Sequence, residues 1–214
     1  MSAGPRPEPL GPQGFAALVP VSRETLARLE AYVELLGRWS ARINLVGRDS
    51  LADSWRRHIL DSAQVLPLVP DGARNLIDLG SGAGLPGLVL AILGMPAVEL
   101  IESDIRKCAF LREAARVTGT EVAISRSRIE ARVPQPVDVV TARALAPLDR
   151  LLGLAAPFLG PGSVCLFLKG GRVEEELTLA RKGWTMAVSS SQSRSDPRGV
   201  VLRLHDVVRA PRRR

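Results

Sequence analysis

The chain has 214 residues and is 46% hydrophobic, which suits one domain with an extension rather than two full domains. No run approaches the roughly 18 apolar residues of a membrane span, the N-terminus lacks the basic-then-apolar build of a secretion signal, and two distant cysteines with only two histidines argue against a zinc site. The net charge of +7 and a pI near 10.6 point to an acidic partner, nucleic acid first among them.

Residues 1–14 carry four prolines and three glycines and read as a disordered leader. Ser22 is placed to cap a first helix running to about Arg38, with Leu26, Leu29, Val33 and Leu36 on one face. RINLVG, Arg42 to Gly47, reads as a turn. A second helix is expected from about Ser50 to Leu66, ended by Pro67, Pro70 and Gly72. Residues 15–72 thus form an N-terminal helical extension that caps whatever follows. In RRHILDS the second helix sets His58 and Asp61 three apart on one face. That spacing fits a pair that orients something at a binding site and fits a plain surface pair equally well.

The central stretch is NLIDLGSGAGLPG, Asn75 to Gly87. A short apolar run stops at Gly80, more glycines follow, and the apolar segment from Leu85 to Leu93 reads as a helix. Strand, glycine loop and helix make a nucleotide-type cofactor site, because the helix start offers free N–H groups and a positive dipole end. Gly82, Gly84 and Gly87 even fit the G-x-G-x-x-G spacing of dinucleotide enzymes. Asp78, expected at the mouth of the loop, would repel a pyrophosphate and favour a cationic cofactor such as S-adenosylmethionine. Glu102 ends the next apolar run, 22 residues beyond Gly80, where an acidic side chain can accept from both ribose hydroxyls.

From Asn75 the pattern alternates. Strands are predicted at 75–79, 98–102, 121–125, 137–142 and 163–168, and helices at 85–94, 104–117, 147–158 and 172–182. Such βαβ units give a mostly parallel sheet with ligands beyond the carboxyl ends of its strands. Two strand-like runs, Trp184 to Ser189 and Gly199 to Val207, then form a hairpin around SSSQSRSDPRG. A parallel sheet closed by an antiparallel hairpin suits S-adenosylmethionine-dependent methyltransferases better than dinucleotide dehydrogenases. Residues 73–208 are therefore read as a methyltransferase domain and 209–214 as a basic tail; nine basic residues stand against two acidic ones from Arg181 onward.

Three further places bear on the site. Ile129 and Glu130 follow the third strand, where an apolar side chain and a carboxylate could hold an adenine, or could simply begin a turn. Arg143 ends the fourth strand, where a tip facing the cofactor loop could contact the methionine carboxylate or an RNA phosphate, or could be a salt-bridged edge residue. Lys169 ends the fifth and Arg198 closes the hairpin loop; each could meet phosphate or stand in solvent. Cys108 and Cys165 read as packing residues of a reduced, cytoplasmic protein.

Taken together, RINL, RRHILDS, IDLGSGAGLPGLVLAI, IESDIRKCAFLRE, SRIE, TARALAPL and LKGG resemble the glucose-inhibited division protein B family over roughly residues 22–205. The resemblance implies a class I, Rossmann-like methyltransferase fold with an N-terminal helical extension. It implies methyl transfer from S-adenosylmethionine to guanine N7 of small-subunit ribosomal RNA, with that RNA or the 30S subunit as partner. It carries cofactor contacts onto Gly80, Leu85, Ile129, Glu130 and Arg143, which join Gly82 and Glu102 of the loop and strand tip read above, and it matches Lys169 and Arg198 to basic positions near RNA. Glu102 stands where the family usually has Asp, and Asp104 and Ile105 precede the basic pair Arg106 and Lys107. Guanine N7 has a free lone pair and no proton, so no general acid or base is named. No metal and no membrane are expected, and the expected state is a monomer. The alternatives are a methyltransferase of the same fold acting on a small molecule or protein, a non-enzymatic RNA-binding module, and a nicotinamide-dependent oxidoreductase.

Overall fold

A computed structural model describes residues 8–211. Seven strands form one sheet in the order β3-β2-β1-β4-β5-β7-β6. They are β1 (Leu76–Leu79), β2 (Val98–Glu102), β3 (Ala123–Arg126), β4 (Val137–Arg143), β5 (Leu159–Lys169), β6 (Trp184–Gln192) and β7 (Val200–Arg209). The first five run parallel, and β7 enters antiparallel between β5 and β6. The expected mixed sheet is therefore present, with the second strand of the hairpin as the one that joins it.

Both faces are covered, so the central strands read as nearly unbroken apolar runs. Alternate residues go to opposite sides. Leu76, Leu100, Val139, Leu166 and Val201 face one core; Ile77, Leu79, Ile101, Val140, Phe167 and Leu202 face the other. The second core is closed by α7 (Leu148–Ala155) and α8 (Val173–Ala180), with labels here following the chain. The first is closed by α5 (Gly87–Ile92), α6 (Ile105–Thr118) and the whole N-terminal extension.

That extension begins earlier than the composition suggests. Helix α1 (Pro12–Leu18) lies partly inside the stretch read as leader. Pro12 has the fixed φ suited to a first helical turn, and Phe15 is fully buried with its ring 5.5 Å from that of Trp55. Leu10 is tied down as well, donating its N–H to Asp53 at 2.8 Å. Residues 1–7 of the expected leader lie outside the described residues, as do Arg212, Arg213 and Arg214 of the basic tail. Arg209 ends β7, its guanidinium 4.8 Å above the Trp184 ring.

Helix α2 (Arg23–Ser40) starts as expected, with Ser22 accepting from the N–H of Thr25 at 3.0 Å. Leu29 and Leu36 are buried on the anticipated face, but so is Tyr32, whose hydroxyl donates to the carbonyl of Ala83 at 2.7 Å. One buried phenol thus fixes the cap helix to the glycine loop. The second expected helix is broken into short pieces. These are α3 (Arg48–Leu51), a π-helical stretch Trp55–Leu60, α4 (Asp61–Ala63) and a 3₁₀ turn Leu66–Leu68. The π stretch contains RRHIL, and such wide turns are common at functional sites. Side-chain periodicity did not reveal it: the expected Trp55 and Ile59 are buried, but so are His58 and Leu60 beside them.

Candidate cofactor loop and base cleft

After β1 the chain crosses toward β2, with Ser81 donating its N–H to the Ile101 carbonyl at 3.0 Å. Gly80 and Gly82 have φ of +64° and +56°, a region that side chains with a Cβ rarely adopt. A Cβ on Gly80 would stand 2.6 Å from Leu145 Cδ1, whereas one on Gly82 would meet nothing nearer than 3.8 Å. The loop is therefore packed shut at Gly80 and open at Gly82. Glu102, 8% exposed, frames the opening: one carboxylate oxygen accepts from the N–H of Gly82 at 2.9 Å, the other from that of Asp104 at 2.8 Å. Each oxygen keeps a further lone pair. Leu85 belongs to the core with its side chain, so it can meet a ligand only through its backbone. Ile129 is partly buried and Glu130 exposed in the 3₁₀ turn Ile129–Ala131 after β3. An open glycine cradle beside an acceptor-rich, buried carboxylate fits the polar, ribose-bearing half of S-adenosylmethionine.

Asp78 corrects an expectation. It does not stand at the mouth of the loop but is fully buried beneath it, where Gly87 leaves no room for a Cβ. Thr141 donates to one of its oxygens at 2.7 Å; the other has no partner. The side chain can influence a ligand above the loop through its field, not by contact. Burial pushes its carboxyl up to about 6, against the opposing hydrogen bond from Thr141. The sign follows directly. Between about pH 4 and pH 6 the unfolded chain has lost a proton that the folded one keeps, so stability falls as pH rises through that window. The full cost above pH 6 is about 3 kcal/mol. Asp78→Asn should therefore unfold at higher urea than the parent at pH 7.5, with the gap closing toward pH 4. A gap that does not change with pH would refute the assignment.

Beyond the loop, at the carboxyl ends of β4 and β5, a cleft of about 930 Å³ opens. Its walls come from the extension (Asn44 to Gly47, His58, Asp61), from Lys107 at the start of α6, from Arg143 to Pro147, from Leu168 to Arg172, and from the hairpin loop. The pairing of Leu79 with Ala142 brings Arg143 level with Gly80. Leu145, packed on Gly80 and lining the cleft, separates the loop from it. Ala144 between them holds φ at +50°, a strained conformation of the kind that clusters at functional sites.

The guanidinium of Arg143 reaches across to the extension. Nη1 donates to the Arg57 carbonyl at 3.1 Å and to the Asp61 carboxylate at 3.1 Å, and lies 3.3 Å from His58 Nδ1. His58 and Asp61 are thus an orienting pair, and what they orient is Arg143. Burial first, and the charges of Arg143 and Arg57 next, hold the imidazole down to about 3, so it is neutral at physiological pH. Asp61 also accepts from Ser195 and from Gln64, the latter at 3.0 Å. Arg57 pairs with Asp196 at 2.9 Å. The extension is thereby fastened to the hairpin loop by groups that sequence did not single out: Gln64, Ser195 and Asp196.

Five cationic side chains line the cleft against three carboxylates. Arg57, Arg143 and Lys169 are paired with Asp196, Asp61 and Glu176. Lys169 also donates to the Ala146 carbonyl at 3.0 Å, and Glu176 accepts from the N–H of Leu148 at 2.9 Å. The ammonium of Lys169 therefore braces the turn after β4. Lys107 and Arg172 have no carboxylate partner among the described residues, and the Arg198 side chain, in the hairpin loop, is 84% exposed and 3.6 Å from Asp196. Among those residues no cluster of His, Cys, Asp or Glu could hold a metal, and no helix is long and apolar enough to cross a membrane.

Residues 25–197 match the family model described as rRNA small subunit methyltransferase G. The chain belongs to this family. The methyltransferase G protein of Paramagnetospirillum magneticum is 58% identical over 200 residues, covering 94% of this chain and 98% of its own. That of Rhodospirillum rubrum is 59% identical over 199 residues, covering 93% and 99%. Among solved structures, the ribosomal protein L11 methylase of Lactobacillus delbrueckii superposes with a TM-score of 0.57 at 17% identity, covering 67% of this chain and 75% of that one. The TYW2 protein of M. jannaschii, solved with AdoMet, gives 0.54 at 15% identity over 77% of each chain. These likenesses make the sheet of this methyltransferase G family member a class I methyltransferase fold.

Proposed function

We propose that this chain transfers a methyl group from S-adenosylmethionine to N7 of one guanine in small-subunit ribosomal RNA. The observation that carries the proposal is the juxtaposition of two sites at one end of the sheet: a cradle open at Gly82 and framed by Glu102, and a cationic cleft reached past Arg143. Gly80, Gly82, the Leu85 backbone and Glu102 would hold the cofactor, with Ile129 and Glu130 beside its adenine and Arg143 on the cleft wall that faces the base. The bound cofactor supplies an electrophilic methyl group on a sulfonium.

The remaining work is alignment. N7 carries an in-plane lone pair and no proton, so the nucleophile needs no base. His58 is not available as one, since its Nδ1 faces the Arg143 guanidinium and its Nε2 is buried. A cleft of this size admits an unpaired or extruded purine. Holding it against the methyl group supplies the rate advantage. Lys107 and Arg172, without carboxylate partners, and Arg198, exposed beside Asp196, are the cations that reach phosphate, while Lys169 acts on the RNA face by bracing the turn after β4. The protein is expected to work as a monomer in the cytoplasm.

The test is direct. Purified protein, methyl-labelled cofactor and small subunits from a strain lacking the family enzyme should place label on a single guanine N7. Because phosphate contacts release counterions, three such contacts should lower RNA affinity by about tenfold or more between 50 and 200 mM salt. Cofactor binding without any label on RNA would overturn the ribosomal substrate and leave a small molecule or protein in its place.

A further inference from the structure

Asp61 joins three walls of the cleft that come from distant parts of the chain. One oxygen receives Arg143 from the tip of β4; the other receives Ser195 from the hairpin loop and Gln64 from the extension itself. Gln64 in turn accepts from the N–H of Arg194 at 2.7 Å, so the loop is held twice. The Asp61 and Arg143 side chains are 16% and 19% exposed, and a pair so shielded is weakly screened by salt. Resting on the function proposed above, we infer that Asp61 is a positioning residue for methyl transfer: through its two oxygens it sets the Arg143 guanidinium and the hairpin loop in one register, and the base cleft has its working shape only while both arms are made.

The alternative is that Asp61 merely fastens the extension to the domain. The chemistry of the two arms separates these cases. In Asp61→Asn the amide oxygen can keep Ser195 and Gln64, while the amide NH2 turns toward Arg143 and offers a donor to a donor. The hairpin arm survives and the Arg143 arm is lost. Ser195→Ala keeps the Arg143 arm and removes the direct hold on the hairpin loop, leaving the one through Gln64. His58 and the Arg57 carbonyl still hold Arg143 in the first variant, so the guanidinium is displaced rather than released. Misplacement of about 1 Å is enough to lower transfer by about a hundredfold.

The experiment is a cycle on the full chain with labelled cofactor and small subunits: parent, Asp61→Asn, Arg143→Ala and the double variant, with S-adenosylhomocysteine affinity by calorimetry and melting temperature for each. Asp61→Asn should lower kcat by about 30-fold or more and leave the affinity for S-adenosylhomocysteine within about threefold. In the Arg143→Ala background it should add less than about threefold, because the partner through which it acts is gone. Ser195→Ala should lower kcat by about three- to tenfold through the other arm, and it serves alone if Asp61→Asn does not fold. The inference is overturned if Asp61→Asn turns over like the parent, if the two losses multiply in the double variant, or if Ser195→Ala is without effect. Label on RNA with parent and Asp61→Asn alike removes this inference only. A parent that leaves RNA unlabelled removes the proposed function and this inference together.

Discussion

Glu102→Ala should bind S-adenosylhomocysteine about a hundred- to a thousandfold more weakly than the parent in calorimetry, with the fold retained. Each charge-assisted hydrogen bond from a ribose hydroxyl to this carboxylate contributes roughly 1.5–2 kcal/mol, and two of them make about 3–4 kcal/mol, or two to three powers of ten. A second loss adds to the first. The carboxylate now satisfies the N–H groups of Gly82 and Asp104, so its removal also frees the loop to leave its bound shape. Glu102→Asp separates the effects. The shorter side chain keeps the charge and both acceptor oxygens, so affinity should fall by about tenfold at most. Glu102→Gln keeps one acceptor oxygen and should fall between the two. Affinity of Glu102→Ala within about threefold of the parent would move the ribose contact elsewhere.

What the sequence made legible divides along a physical line. Elements announced by local periodicity and turn residues were readable, apart from the second helix of the extension, which the structure breaks into short pieces. The run LIDLG, the glycines after it and Glu102 at the tip of the next strand all obey local rules of periodicity and turn chemistry, and they stand where those rules put them. Contacts between distant segments were not readable. Nothing about Ser195 marks it as a partner of Asp61, because the two stand 134 positions apart in the chain. Lys169 shows the same limit from the other side. Its place at a strand tip was legible, but the carboxylate of Glu176, which pairs with it, sits on the following helix with no motif to announce it. Asp78 was located correctly along the chain but not in depth, since alternation along β1 turns it inward beneath Gly87. Leu145 and the strained Ala144 are likewise features of packing, set by the turn that carries the chain from β4 to α7.

Arg143→Ala should lower kcat on small subunits by about a thousandfold while cofactor affinity falls by less than about tenfold. The asymmetry follows from where the side chain goes. It starts level with Gly80 but sends its guanidinium away from the loop, to the Arg57 carbonyl, His58 and Asp61 on the far wall of the cleft. Its removal therefore loosens the wall that faces the base more than the cradle that holds the cofactor. Stability should fall by only about 1–2 kcal/mol, because Asp61 keeps Ser195 and Gln64 as donors and is not left as a bare charge. Arg143→Lys is the sharper comparison. A lysine ammonium restores the charge but cannot reach a carbonyl, an imidazole and a carboxylate with a planar fork. It should recover stability in urea unfolding while recovering less than about a tenth of the lost rate. Full activity in Arg143→Lys would mean that charge alone matters at this position, and turnover of Arg143→Ala near that of the parent would remove Arg143 from the site altogether.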